Sequence, residues 1–379
     1  MSEAGRVSRR EFLAASLLAP ALARLQPPAD AHLVGTLPFA TQNSRSTPLN
    51  RKLGDGYDAR LFSDLSALSA DALATPTDRF FLRTAASPKL PPVESWTVTL
   101  GGLVKQPATL DIRSLDALRQ PTGQVLIECA GNSDPANFGL MSVADWDGVR
   151  VLPLLERILP TASRYRILVS GFDDETAPTR TSIRGASWIF TRDDLQRAFL
   201  GARMNGTPLT PDHGAPVRLV VPGWYGCACI KWVNRIDLVP DDAPRTSQMA
   251  EYAGRTHQDA EPDLARDYTP AIIDTAATPV RIEKWARAGK VFYRVVGIIW
   301  GGSAPTDALA IRFKPSEPWV KVEHCPLPSS TLTWSLWTHT WTPSEPGRYS
   351  IVLKVTDPTI RTRRLDLFYY VRDVVIEAT

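Results

Sequence analysis

The chain reads as an α+β protein followed by an all-β unit, and three observations carry that reading. Segments of strand and helix period are mixed through the first 277 residues without a regular strand–helix–strand repeat, and no dinucleotide- or phosphate-binding glycine loop occurs. A doubly wound parallel sheet is thereby excluded. Beyond residue 278 helical periodicity almost disappears, and six of the eleven tryptophans fall there among short alternating runs. Thirty-two prolines against 23 glycines in 379 residues favour strand edges and fixed turns over a helical bundle. The balance of 44% hydrophobic and 22% charged residues suits a soluble chain with two cores. With 43 basic and 40 acidic side chains, the charge gives no reason to expect nucleic acid or an anionic membrane as the main partner. Four cysteines are too few for a disulfide-built scaffold.

The elements follow in order. Residues 24–75 form an extended arm with one short helix over 61–73. Trp96-Thr97-Val98-Thr99-Leu100 alternates like a half-buried strand and meets a turn at Gly101-Gly102. Residues 110–118 carry helical spacing, with Asp111 or Ser114 as candidate caps. Val125-Leu126-Ile127 is a buried strand that delivers Cys129 at its end. Residues 151–159 predict a helix, 165–169 a strand, 195–200 part of a short helix, and 217–221 a strand between Pro216 and Pro222. A break falls near Thr278-Pro279. Past it, strands at 291–299, 309–313, 334–341 and 349–355 suggest a β-sandwich without a cluster of catalytic side chains.

The first thirty residues read as an address. A polar, basic stretch leads into an apolar run over 14–23 that ends in Ala21-Leu22-Ala23, the order of a cleavable export signal. The run is too short to span a bilayer, which takes about 20 residues, and no later segment is long enough, so the mature form is expected to have no membrane span. Arg9-Arg10-Glu11-Phe12-Leu13 resembles a twin-arginine signal, which implies a periplasmic protein folded before export.

Two constellations could carry chemistry. Cys129, in Glu128-Cys129-Ala130-Gly131-Asn132, stands where a buried strand opens into polar and glycine residues. There it is either a small core residue or a thiolate able to bind a soft metal. His213, Arg218 and Lys231 fall close together among rigid Pro and Gly turns, a pattern suited to an anionic ligand such as a phosphate. Cys227 and Cys229 are one residue apart, which would strain a disulfide, so they read as packing. No C-x-x-C supports a structural zinc, and no G-x-S-x-G supports a serine hydrolase.

Several motifs in one order make the chain, from about residue 36 onward, resemble the molybdopterin-dependent sulfite oxidase family. They are Phe80-Phe81-Leu82-Arg83, Cys129-Ala130-Gly131-Asn132, Trp146-Asp147-Gly148-Val149, Met204-Asn205-Gly206, Asp212-His213-Gly214 through to Arg218, and Ile230-Lys231-Trp232. The resemblance implies a signal and linker over 1–30, a molybdopterin-binding catalytic domain over 31–277 and an immunoglobulin-like dimerisation domain over 278–379. It implies a molybdenum-molybdopterin cofactor with Cys129 as the metal's thiolate ligand. Phe81, Leu82, Arg83, Asp173, His213, Arg218, Ile230 and Lys231 would contact the cofactor, and Arg83 and Tyr252 would act on substrate. The implied reaction is oxygen-atom transfer on a small oxyanion, with a cytochrome-type protein taking the electrons and a homodimer as the assembly. Reduction of an S-oxide or N-oxide, and a catalytically weak cofactor-bearing subunit, are the alternatives. Three departures mark this chain: Thr84-Ala85 follows Arg83 in place of Asn-His, Ser133-Asp134 stands where the family has two arginines, and Ala228 replaces another. Asp134 is expected to repel an anion at close range, so the cofactor cradle looks better kept than the sulfite pocket.

Overall fold

The computed structural model describes residues 28, 30–40, 47–55, 58–84, 90–134, 137–172 and 186–377. Strand dominates, and helices are short. The described residues divide into two compact units, one within 47–65 and 74–273, the other within 28–40, 66–73 and 274–377.

In the first unit, the long strand Met141–Arg150 pairs on one side with Gln120–Glu128 and on the other with Phe199–Met204, which in turn pairs with Thr207–Pro208 and Arg218–Val220. A second sheet sets Val233–Pro240 between Tyr165–Gly171 and Thr97–Gly102, the latter in a parallel pairing. A small sheet of Leu53–Asp55, Asp58–Leu61 and Leu82–Thr84 carries Arg83. The core under these strands gathers Phe80, Phe81, Val125, Ile127, Leu140, Trp146 and Phe199. Phe80 meets Trp146 edge-on at 6.0 Å between centroids, and burying each of these aromatic side chains stabilises the fold by about 2–3 kcal/mol.

Three expected helices change. Residues 61–73 hold only a 3-10 turn, Leu65–Ala67, after the strand Asp58–Leu61. The backbone N–H of Ser63 donates to Gly139 O, its hydroxyl to Arg79 O, and Asp64 N–H to the Asn50 side chain. Distant partners thus satisfy groups that a helix would have paired locally. The stretch over 195–200 ends in the strand Phe199–Met204, because neighbouring strands claim its backbone on both edges. The helix from Val151 stops at Leu155. The helix Ile112–Ala117 stands where expected, capped by Asp111, whose carboxylate accepts from Ser114 N–H at 2.8 Å.

The second unit contains two four-stranded sheets. One orders His32–Leu37, Ala276–Arg287, Lys290–Trp300 and Trp334–Trp341; the other orders Val320–Lys321, Leu309–Arg312, Gly347–Val355 and Arg372–Ile376. The expected break at Thr278-Pro279 lies inside a strand. Pro279 sits where the register against Lys290–Trp300 slips, a bulge at which a missing N–H is tolerated. The strand His32–Leu37 pairs with Ala276–Arg287, so the division of the chain is not the simple one at residues 277–278.

Candidate active site

Cys129 lies just past the end of Gln120–Glu128, its N–H donating to Leu140 O at 2.9 Å. Asn132 ties off the loop that follows: its side chain donates to Phe138 O and accepts from Leu140 N–H, each at 3.1 Å. The loop is thereby held, and Gly131 N–H turns back to donate to Cys129 Sγ at 3.4 Å. Burial pushes the Cys129 thiol up. The Gly131 N–H and the positive charges of Arg83 and Arg255 oppose that push, while the Glu128 carboxylate adds to it.

The second constellation is organised around Gly214. It ends the 3-10 turn Pro211–His213 at φ 104°, and an ideal Cβ there would lie 3.1 Å from the side chains of both Arg218 and Lys231. Glycine is required on both counts. Arg218 is buried and donates from Nη1 to His213 O and from Nη2 to Cys229 O, each at 3.1 Å, with its guanidinium 6.0 Å from the Trp146 ring. Its Nε is buried with no partner. Lys231 Nζ donates to Asp212 O at 2.5 Å, and Trp232 Nε1 to Pro211 O at 2.7 Å.

These two constellations meet. Phe81, Arg83, Cys129, Arg218, Ile230, Lys231 and Tyr252 line one cavity, which holds about 790 Å³ counting its open mouth, within the range of small-molecule sites. His213 and Leu82 stand behind the wall. His213 Nε2 faces Phe80 O at 3.2 Å, which can only accept, so that nitrogen carries the proton; Nδ1 contacts Thr210 Oγ1 at 2.7 Å. Burial, then the charge of Lys231, lowers the His213 pKa to about 4, so the ring is neutral at neutral pH. It braces the turn that holds Arg218 and is not one of the cations. Asp173 lies outside the described residues.

Tyr252 closes the helix Ser247–Tyr252, which Thr246 caps by accepting from Met249 N–H at 3.2 Å. Burial first, then the neighbouring Cys129 and Cys227, pushes its hydroxyl up to about 12, with Arg83 opposing. The phenol is therefore protonated at neutral pH and can donate a hydrogen bond. Cys227 and Gln248 also line the cavity. Gly226 packs its 3-10 turn onto the Cys129 strand, where a Cβ would sit 3.1 Å from Glu128 O, and the Gln248 side chain donates to Cys227 O. Cys227 and Cys229 are buried, form no disulfide and both line the cavity.

One expectation is corrected. Asp134 does not face the cavity: its carboxylate accepts from the Thr47 hydroxyl and, at 3.1 Å, from Asn137 N–H. The Asx-type turn claims the charge that was expected to repel an anion. Ala228 is fully buried and lies outside the cavity lining.

A buried thiol at a strand end shares one cavity with the buried Arg218 and the half-buried Arg83 and Lys231, an arrangement suited to an anionic cofactor. Residues 85–247 match the oxidoreductase molybdopterin binding domain. The chain is 30% identical over 245 residues to nitrate reductase [NADPH] of Beauveria bassiana, covering 57% of this chain and 27% of that protein. It is 26% identical over 321 residues to mitochondrial sulfite oxidase of Rattus norvegicus, covering 76% of this chain and 57% of that protein. The chain thus spans about a quarter to somewhat more than half the length of these relatives. The crystal structure of the sulfane dehydrogenase SoxCD from Paracoccus pantotrophus shares its fold, with a TM-score of 0.61 at 16% identity over 86% of this chain and 89% of that one. Residues 85–247 are thus a molybdopterin-binding oxidoreductase domain, similar to those of sulfite oxidases and nitrate reductases, with molybdenum-molybdopterin as the implied cofactor. The residues fit that group: the orphaned Arg218 Nε and Lys231 suit an anionic tail, and the Cys129 sulfur suits a soft, high-valent metal. No helix among the described residues is long and apolar enough to cross a membrane.

Proposed function

We propose that this chain is an exported, periplasmic oxidoreductase that transfers an oxygen atom to a small anionic sulfur substrate and passes the electrons to a cytochrome-type acceptor. The observation that carries this reading is the convergence of Arg83, Cys129, Arg218, Lys231 and Tyr252 on one cavity. When bound, the cofactor supplies two-electron redox chemistry and the transferable oxygen. Cys129 would hold the metal, and Arg218 and Lys231 would hold the anionic part of the pterin. Arg83 would draw in and orient the oxyanion, and the protonated Tyr252 would donate a hydrogen bond to it. The turned-away Asp134 supports an anionic substrate over a neutral one. The C-terminal strands would form an immunoglobulin-like module that pairs two copies.

Steady-state assays of the molybdenum-loaded protein test the reading. Sulfite is expected to reduce an artificial acceptor, with Arg83→Gln raising KM. Because the fold neighbour is a sulfane dehydrogenase, the screen includes a polysulfide. Turnover confined to sulfoxides or N-oxides with an artificial donor would replace this reading with a reductase. Absence of turnover on every substrate would point to a cofactor-bearing subunit.

A further inference from the structure

We infer that Arg255 is the second substrate-binding cation of this site, standing in for the arginines this chain lacks after Asn132. The inference rests on the oxyanion reading above. Arg255 ends the 3-10 turn Ala253–Arg255, directly after the helix that presents Tyr252. Its guanidinium lies 5.8 Å from the Tyr252 ring centroid. An ideal Cβ on Gly131 would lie 3.0 Å from Arg255 Nη1 and 3.8 Å from Cys129 Sγ. The cation and the sulfur therefore face each other across a residue with no side chain.

Among the described residues no carboxylate forms an ion pair with Arg255, whereas Lys52 pairs with Asp212 and Arg119 with Asp116. The residue is solvent-exposed. Arg255 lies outside the cavity lining itself, and an exposed cation at its edge, near the Tyr252 ring and Cys129, can meet an incoming anion without being buried unpaired. Arg83 lines the cavity and also acts electrostatically on Cys129, so a sulfur oxyanion would meet two guanidiniums. The family motif sets its cations just after Asn132. Here Ser133 and Asp134 occupy those places, and a different loop delivers the charge. A side chain at Gly131 would have to displace Nη1 by a few tenths of an ångström.

The test is sulfate binding to the molybdenum-loaded protein by titration calorimetry, alongside steady-state kinetics with sulfite. Arg255→Gln is expected to weaken sulfate about tenfold and to raise KM by a similar factor, with kcat changed less than about threefold. Arg255→Lys should recover most of the loss. Arg113→Gln, which removes a charge from the helix Ile112–Ala117, should stay within about twofold of the parent. Parent-like sulfate binding by Arg255→Gln, beside a loss in Arg83→Gln, would overturn the assignment and leave the oxyanion reading standing. No sulfate binding by the parent, together with sulfite kinetics indifferent to Arg83→Gln, would overturn both.

Discussion

Arg218→Met separates a cofactor contact from a scaffold residue. The parent guanidinium is buried, holds the carbonyls of His213 and Cys229 at 3.1 Å each, and leaves Nε without a partner. Methionine keeps the apolar contact with Trp146 and removes both bonds. Each hydrogen bond from a charged donor is worth about 1.5–3 kcal/mol. Relief of a buried charge lacking a carboxylate offsets part of that loss. The cofactor-free protein should therefore lose about 1–3 kcal/mol, or about 2–4 °C in Tm per kcal/mol for a domain of this size. The loaded protein should lose more, because breaking a buried charge pair costs about 3–5 kcal/mol and ligand stabilisation falls with affinity. Thermal unfolding of both forms, with molybdenum content, reads this directly. The gap in Tm between loaded and cofactor-free protein should shrink, and molybdenum occupancy should fall. Equal losses in both forms with full occupancy would refute the reasoning and leave Arg218 as scaffold.

Three further outcomes are expected. The His213 pKa is about 4 in the folded protein against 6.5 ordinarily, so the unfolded chain takes the proton first as pH falls. Its contribution is full above about pH 6.5 and is lost toward pH 4, so the stability gap between the parent and His213→Asn should narrow by about 2–3 kcal/mol from pH 7 to 4.5 in urea melts, and parallel curves would contradict this. Tyr252 stays protonated below about pH 11, so Tyr252→Phe should lower kcat/KM about a hundredfold without moving either limb of the pH profile; a lost ionisation near neutrality would contradict it. Asn132→Ala removes the side-chain bonds to Phe138 O and from Leu140 N–H in a buried loop, so it should cost about 1–3 kcal/mol in denaturant unfolding; a change under about 0.5 kcal/mol would mean the loop is held otherwise.

The site was more legible in the sequence than the fold around it. Phe81, Arg83, Cys129, Arg218, Ile230, Lys231 and Tyr252 come from separate loops and strands yet share one cavity. Residue types and spacing singled out Cys129, Arg218 and Lys231, and the family resemblance supplied Phe81, Arg83, Ile230 and Tyr252. His213 was found, but that burial holds its ring neutral shows only in the structure. The charge of Asp134 was plain in the sequence, but its direction was not, because that depends on Thr47, 87 residues away in the chain. Arg255 and Gln248 carry no local signal: a single Arg or Gln beside a short helix looks like surface. The helix expected at 61–73 is replaced by a 3-10 turn, and the break expected near Thr278-Pro279 falls a few residues past the division between Ile273 and Asp274. Local pattern gave way to strand pairing and to hydrogen bonds from distant partners.

The central claim is that the Cys129 sulfur is the protein's ligand to the metal. X-ray absorption at the molybdenum edge tests it most directly, comparing the loaded parent with Cys129→Ser. The account predicts one sulfur fewer around molybdenum in the variant, with turnover lost. An unchanged sulfur shell with full turnover would contradict it.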